Sequence, residues 1–383
     1  MISFIVTTSN NMNIESTVQA HVATSFIPKL NSNLCLPIYD KCGGIEGFFR
    51  ESTEAFNAIC RTFNILPEQI NRTQALENAK RELEEIHRHH INICTIEDQS
   101  YPILLKQCED IPLTLYYKGN IQTCSEDKHL AIVGTRHAST RYQDLVNTVL
   151  TDLQLMGHHP IIVSGLAYGI DAAAHRASLK NGLRTFAVLG HGMHMIYPAS
   201  HKRLADAILE SNGALISEFP CIASTHPSNF LKRNRIIAGM CQATLVAESA
   251  VKGGAMSTAR TALSYNRDVM AFPGRPDDPY SAGCNALIKE NVAALVENCK
   301  DIVRILGYPE RTIEDQQLKL DLFGDSDKEE QILKLLRQNG DLHIDQLAQI
   351  SQITDGTLPA LLLQLELEGK ILSLPGQKYT TKK

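Results

Sequence analysis

The chain has no C-x-x-C pair among its ten cysteines, no uninterrupted apolar run of about 18 residues and no excess of positive charge. Each absence excludes something. Scattered cysteines in 383 residues single out no thiol, and a chain this long needs no disulfide staples, so a reducing cytosol is the expected compartment. Without a long apolar run, no membrane span is expected. The opening MISFIVTTSN has no basic residue before its short apolar stretch and no small-residue cleavage site after it, so no secretion signal is expected. With 37 basic and 42 acidic side chains the net charge is −5, so a nucleic-acid site must be a local patch. Two ligand templates are missing as well. No G-x-x-x-x-G-K-[ST] occurs, and after Gly190-His191-Gly192 the third glycine is replaced by Met195 with no acidic residue about 20 positions on. No nicotinamide site and no other cofactor are expected.

What is present divides into four stretches. Residues 1–95 alternate helix-period apolar patches with polar turns, ending in the charged run QALENAKRELEEIHRHH, a solvated helix face in a small N-terminal helical domain. Its His87, His89 and His90 cannot all converge from one helix face, so no metal is expected. Residues 96–307 carry six short β-rich runs: HLAIVG (129–134), PIIVSG (160–165), TFAVLG (185–190), ALISEF (214–219), TLVAES (244–249) and DVMAFPG (268–274). Buried strands alternating with helices predict an α/β fold, a parallel sheet covered on both faces, with ligands at its carboxyl edge. Residues 308–326 read as a linker. Residues 327–383 supply three helices and a hairpin-like end, a winged helix. From 325 onward seven Lys/Arg face nine Asp/Glu, and the third helix lacks a cationic row for a major groove.

The candidate chemistry lies in the loops after the strands. Gly134-Thr135-Arg136 runs into a helix, with amides, a hydroxyl and a forked cation suited to a phosphate; the bland alternative is a tight turn with Arg136 paired to a carboxylate. Ser164 and Gly165 begin a second small-residue turn that either caps its helix or leaves amides for another anion. Lys202 lies early in a helix after Tyr197 and Pro198. The densest basic element, Phe230-Leu231-Lys232-Arg233-Asn234-Arg235, sets cations beside an aromatic ring, as a single strand needs for phosphate neutralisation and base stacking. Its alternative is a core Phe230 with arginines tied to Glu218 or Glu248. Gly253 and Gly254 open another helix on the same edge.

Taken together, GTRHAST, SGLAYGIDAAAH, AVLGHGMHMIYP, FLKRNRIIAG, GGAMSTARTAL, VMAFPG and GCNALI resemble the DprA/Smf family, the DNA-processing proteins of natural transformation, over about residues 100 to 300. The resemblance implies an extended Rossmann-type domain that binds single-stranded DNA, forms a homodimer and loads RecA, without catalysis. The N-terminal (SAM/HhH-like) and winged-helix stretches are similar to modules of many members. Carried onto this chain, the pocket falls on Gly134, Thr135, Arg136, Ser164, Gly165, Lys202 and Phe230 to Arg235, with Arg136 and Lys202 on phosphates and Phe230 against a base. The dimer contact falls around Leu287, Ile288 and Leu295, with Asn291 where a glycine is usual.

Two rival readings are an enzyme and a duplex-binding regulator. The sheet also resembles lysine-decarboxylase-like phosphoribohydrolases, whose catalytic Glu position is held here by Arg260, so no general acid or base is expected there. The acidic winged helix argues against the regulator.

Overall fold

The computed structural model describes residues 11–27, 32–124, 126–309, 326–351, 353 and 357–381. It divides near residue 310 into a large and a small compact unit.

The six expected strands all form, and three more extend them into one nine-stranded sheet. Its strands are β1 (Asn92–Thr95), β2 (Thr114–Gly119), β3 (His129–Val133), β4 (Ile161–Ser164), β5 (Thr185–Leu189), β6 (Ala214–Ser217), β7 (Ala243–Val246), β8 (Asp268–Ala271) and β9 (Ala294–Leu295). The order is β1-β2-β6-β5-β4-β3-β7-β8-β9, parallel from β6 to β9 and antiparallel where β1 and β2 join. Chain direction across the sheet reverses between β3 and β7, the switch point at which open α/β sheets leave a crevice.

Helices α1 (Asn11–Thr24), α2 (Ser32–Lys41), α3 (Ile45–Arg50), α4 (Thr53–Thr62) and α5 (Arg72–Arg88) precede the sheet. Then come α6 (Ile103–Lys106), α7 (Thr140–Leu155), α8 (Ile170–Lys180), α9 (Lys202–Glu210), α10 (Pro227–Gly239), α11 (Gly254–Ser264), α12 (Ala282–Lys289) and α13 (Cys299–Ile305). Strand residues alternate between two cores because side chains alternate across a pleat. Phe186, Val188 and Ile216 face one core, while Ala187, Leu189 and Leu215 face the other.

That second core corrects the expected boundary at residue 95. Ala20, Ile38, Phe48 and Ala79 of the N-terminal helices share it with the sheet, and β1, inside the expected first domain, is a sheet strand. Polar ties reinforce the join. Thr114 Oγ1 donates to the His21 carbonyl at 3.0 Å, and the buried Glu82 carboxylate on α5 accepts the amides of Cys221 at 2.7 Å and Ile222 at 3.0 Å.

The dimer expectation needs correction at one residue. Leu287 is fully buried in the first core, and Ile288 packs against that core half-buried. Only Leu295, on the short edge strand β9, presents its side chain, 43% exposed. Asn291 has φ +55°, a left-handed turn that Asn accepts among the few residues other than glycine, so the chain turns there without one.

The small unit is a winged helix as expected: helices Ser326–Asn339, Ile344–Ser351 and Thr357–Leu367, with strands Leu342–His343, Lys378–Thr381 and Ile371–Leu374 paired in that order. Ile332, Leu347, Leu362 and Ile371 form its core. Of the expected linker, residues 310–325 lie outside the described residues.

Candidate nucleic-acid interface

At the switch point three amides of the loop after β3 are taken by the protein itself. The Thr135 amide donates to the Glu248 carbonyl at 2.7 Å, the His137 amide to Thr135 Oγ1 at 3.1 Å and the Ser139 amide to Glu248 Oε2 at 2.8 Å. Glu248 is 2% exposed, so a resident carboxylate holds the anion position at the start of α7. Gly134 is needed because a Cβ there would lie 2.8 Å from the Glu248 carbonyl oxygen. The expected phosphate cradle is thereby corrected: Gly134 and Thr135 shape the loop, and Arg136 is the group it presents.

The second turn is plugged in the same way. Asp171, near the start of α8, accepts the amides of Gly165 at 3.2 Å and Ala167 at 3.3 Å, while Ser164 Oγ donates to the Ile132 carbonyl at 2.6 Å inside the sheet. Ser164 is fully buried and reaches no ligand. Burial raises the Asp171 carboxyl above its usual range, with Arg233 and the loop amides pulling the other way.

Arg233 is the largest departure from expectation. It is 4% exposed, and its Nη1 donates to the carbonyls of Gly165, at 2.7 Å, and Val188. Burial brings its guanidinium down to about 10, opposed by Asp171 and abetted by Arg136. Arg233 therefore braces the ends of β4 and β5 and does not face solvent. A signal for this lies in the sequence: at helical spacing Arg233 falls in line with Asn229, Ile236 and Ile237, all buried. Arg235 is likewise turned to carboxylates, pairing with Glu218 and lying 3.6 Å from Asp110. Asn234 Oδ1 accepts from Arg233 Nε at 3.2 Å.

The exposed chemistry is what remains. Arg136 is exposed, its Cζ lies 6.0 Å from the centre of the Phe230 ring, and no ion pair engages it among the described residues. Phe230, half-buried, is seated over Gly190, where a Cβ would come within 2.8 Å of its ring. Tyr197, 48% exposed, completes the cluster at 5.5 Å from Phe230. Sequence reading passed over Tyr197; an aromatic in a loop at the carboxyl edge was the available cue. Lys232 is exposed, but two residues from Phe230 along α10 it points roughly 200° round the helix from this face. Lys202 is exposed too, but pairs with Asp206 one turn along α9.

Gly253 and Gly254 stand apart from this cluster. A Cβ at Gly253 would lie 2.3 Å from Ser249 Oγ and 3.0 Å from the Ala250 carbonyl oxygen, whereas a side chain at Gly254 would meet open space. Beside them Lys252, Ser257 and Arg260 line a shallow hollow that contains no carboxylate.

A doubly wound sheet with a plugged switch point, a cationic and aromatic outcrop on the neighbouring loops and a separate winged helix defines a non-nucleotide-type Rossmann protein with a surface suited to polyanions. Residues 92–307 match the family model of the DNA recombination-mediator protein A, and residues 316–377 match the DprA winged helix domain. The chain belongs to the DprA/Smf family of DNA-processing recombination mediators. It is 40% identical over 209 residues to the DNA processing protein DprA of Streptococcus pneumoniae, covering 55% of this chain and 72% of that one. It is 35% identical over 293 residues to protein Smf of Escherichia coli, covering 75% and 76%. The solved structure of the Streptococcus pneumoniae DprA matches with a TM-score of 0.57 at 30% identity, over 78% of this chain and 98% of that chain. Among the described residues no helix is long and apolar enough to cross a membrane.

Proposed function

We propose that this protein binds single-stranded DNA at the carboxyl edge of its sheet and mediates recombination without changing the strand covalently. One observation carries the reading. Arg136 stands exposed and unpaired beside the Phe230 ring, while the other cations of the FLKRNR segment except Lys232 are turned inward. A guanidinium on phosphate next to a ring that can stack a base is what sequence-independent strand binding needs.

Affinity then falls with salt, each neutralised phosphate adding about 0.7 to the log–log slope for single strands. A salt-titrated comparison of single strand with duplex tests this. Arg136→Ala weakens binding to all strand sequences alike; unchanged affinity at moderate salt removes Arg136 from the site.

The family placement supports the further proposals that the protein works in the cytoplasm as a homodimer and hands its strand to RecA. Faster RecA assembly on a protein-bound strand than on a bare one is the expected result. Equal rates would count against delivery.

A further inference from the structure

The site around Arg136 and Phe230 does not use a second groove that begins at the same arginine and runs the other way, between α7 and α8. Arg136, Gln143, Tyr168, Arg176, Ser200 and His201 line it, and none of its lining residues is acidic. In a chain with 42 carboxylates against 37 cations, a groove holding two arginines and no acid is a marked local bias. Neither Arg136 nor Arg176 has an ion-pair partner among the described residues, and Arg176 is exposed.

The aromatic ring in this groove is held for use. Leu166 at φ +57° and Gly169 at φ +75° twist the loop after β4. A Cβ at Gly169 would lie 2.7 Å from the Arg136 carbonyl carbon, so the loop is drawn against Arg136. Tyr168 is thereby pushed outward and is 49% exposed. Its hydroxyl lies 3.0 Å from Ser200 Oγ, and its ring meets the buried His201 edge-on at 5.0 Å. His201 is fixed in turn, its Nδ1 2.8 Å from the Leu166 carbonyl, which makes Nδ1 the protonated nitrogen. A large exposed aromatic anchored at both ends loses little freedom when a base stacks on it.

We propose that this groove is a second nucleotide subsite, with Tyr168 stacking a base next to the one on Phe230 and Arg176 taking its phosphate. The proposal rests on the strand-binding reading and deepens it. Arg136 is the hinge between the two subsites, and the strand runs from the Phe230 face across Arg136 onto α8.

The chain contains no tryptophan, so Tyr168→Trp in the full-length protein places a single indole at the subsite. Long oligothymidylate quenches its emission, while an oligomer too short to span both subsites and held at the Phe230 face does not. Tyr168→Ala weakens the long strand about five- to tenfold and the short one less than twofold. Arg176→Ala lowers the salt slope for the long strand by about 0.7. Unchanged emission on binding the long strand, with wild-type affinity in both alanine variants, overturns the subsite. Equal weakening of short and long strands by Tyr168→Ala overturns it too, since residue 168 then only shapes the Arg136 loop. Failure of the wild-type protein to bind either oligomer sinks the strand-binding reading itself, and the subsite with it.

Discussion

Gly165 exists for Arg233: a Cβ on residue 165 would lie 2.5 Å from Arg233 Cζ, so the guanidinium occupies the space a side chain would fill. The glycine, for which the sequence left helix capping or an anion site open, makes room for the protein's own cation. Gly165→Ala therefore destabilises the fold by about 1–3 kcal/mol through overpacking, read as a lower urea midpoint. An unchanged midpoint would mean that Arg233 relaxes away freely.

Two arginines that look alike in the sequence separate by stability. Arg233→Ala leaves Asp171 buried without its countercharge and costs about 3–5 kcal/mol. Arg136→Ala, at an exposed position, changes stability by no more than about 0.5 kcal/mol while weakening strand binding. Chemical denaturation of both variants checks the contrast, and similar losses in the two would contradict it.

His175 makes the fold sensitive to acid. Fully buried, with Nδ1 2.7 Å from Thr185 Oγ1, it titrates at about 3, lowered first by burial and then by Arg233 and His201. Its ordinary value of 6.5 holds in the unfolded chain, so between pH 6.5 and about 3 the unfolded state binds the extra proton. Stability falls with pH across that window, by up to about 1.4 kcal/mol per unit from this group. Stability measured from pH 7 to 4.5 shows this slope, and His175→Gln flattens it. A variant with the wild-type slope would assign the acid sensitivity elsewhere.

Glu82 ties α5 to the loop that leads into α10 and Phe230. Glu82→Ala strips the Cys221 and Ile222 amides of their acceptor, at about 1–3 kcal/mol for the buried Cys221 donor, while Ile222, 41% exposed, can turn to water. Hydrogen exchange at these two amides accelerates in the variant, and protection equal to wild type would show that the loop does not need the tie.

At the proposed dimer contact, Leu287 and Leu295 part company. Leu287→Ala opens a cavity in the core and costs about 2–5 kcal/mol. Leu295→Glu, on an exposed edge, leaves stability nearly unchanged and shifts sedimentation toward the monomer. If the Leu295 variant sediments as wild type, β9 is not the contact.

The sheet was legible because parallel strands buried on both faces read as short apolar runs, and all six such runs became strands. The winged helix was legible from helix spacing and its terminal hairpin. Strands β1, β2 and β9 were not: β1 and β2 join antiparallel at one end of the sheet and β9 has two residues, so none follows the alternation of parallel strand and helix. At the proposed site, Arg136 in its loop and Phe230 on α10 stand out in the sequence as a cation and an aromatic after β-rich runs. Arg233 was misread because its charge outweighed the helical line of buried residues on which it sits.

The amino-acid order alone settled the six central strands and the winged-helix elements, since burial period and turn residues are local properties. Which glycine-bearing turns stay open was decided only by tertiary structure. Glu248 arrives from beyond β7 to fill one of them, while the local Asp171 caps another, and Arg233 of α10 packs against Gly165 because a buried cation must find carbonyls and a carboxylate wherever the fold supplies them.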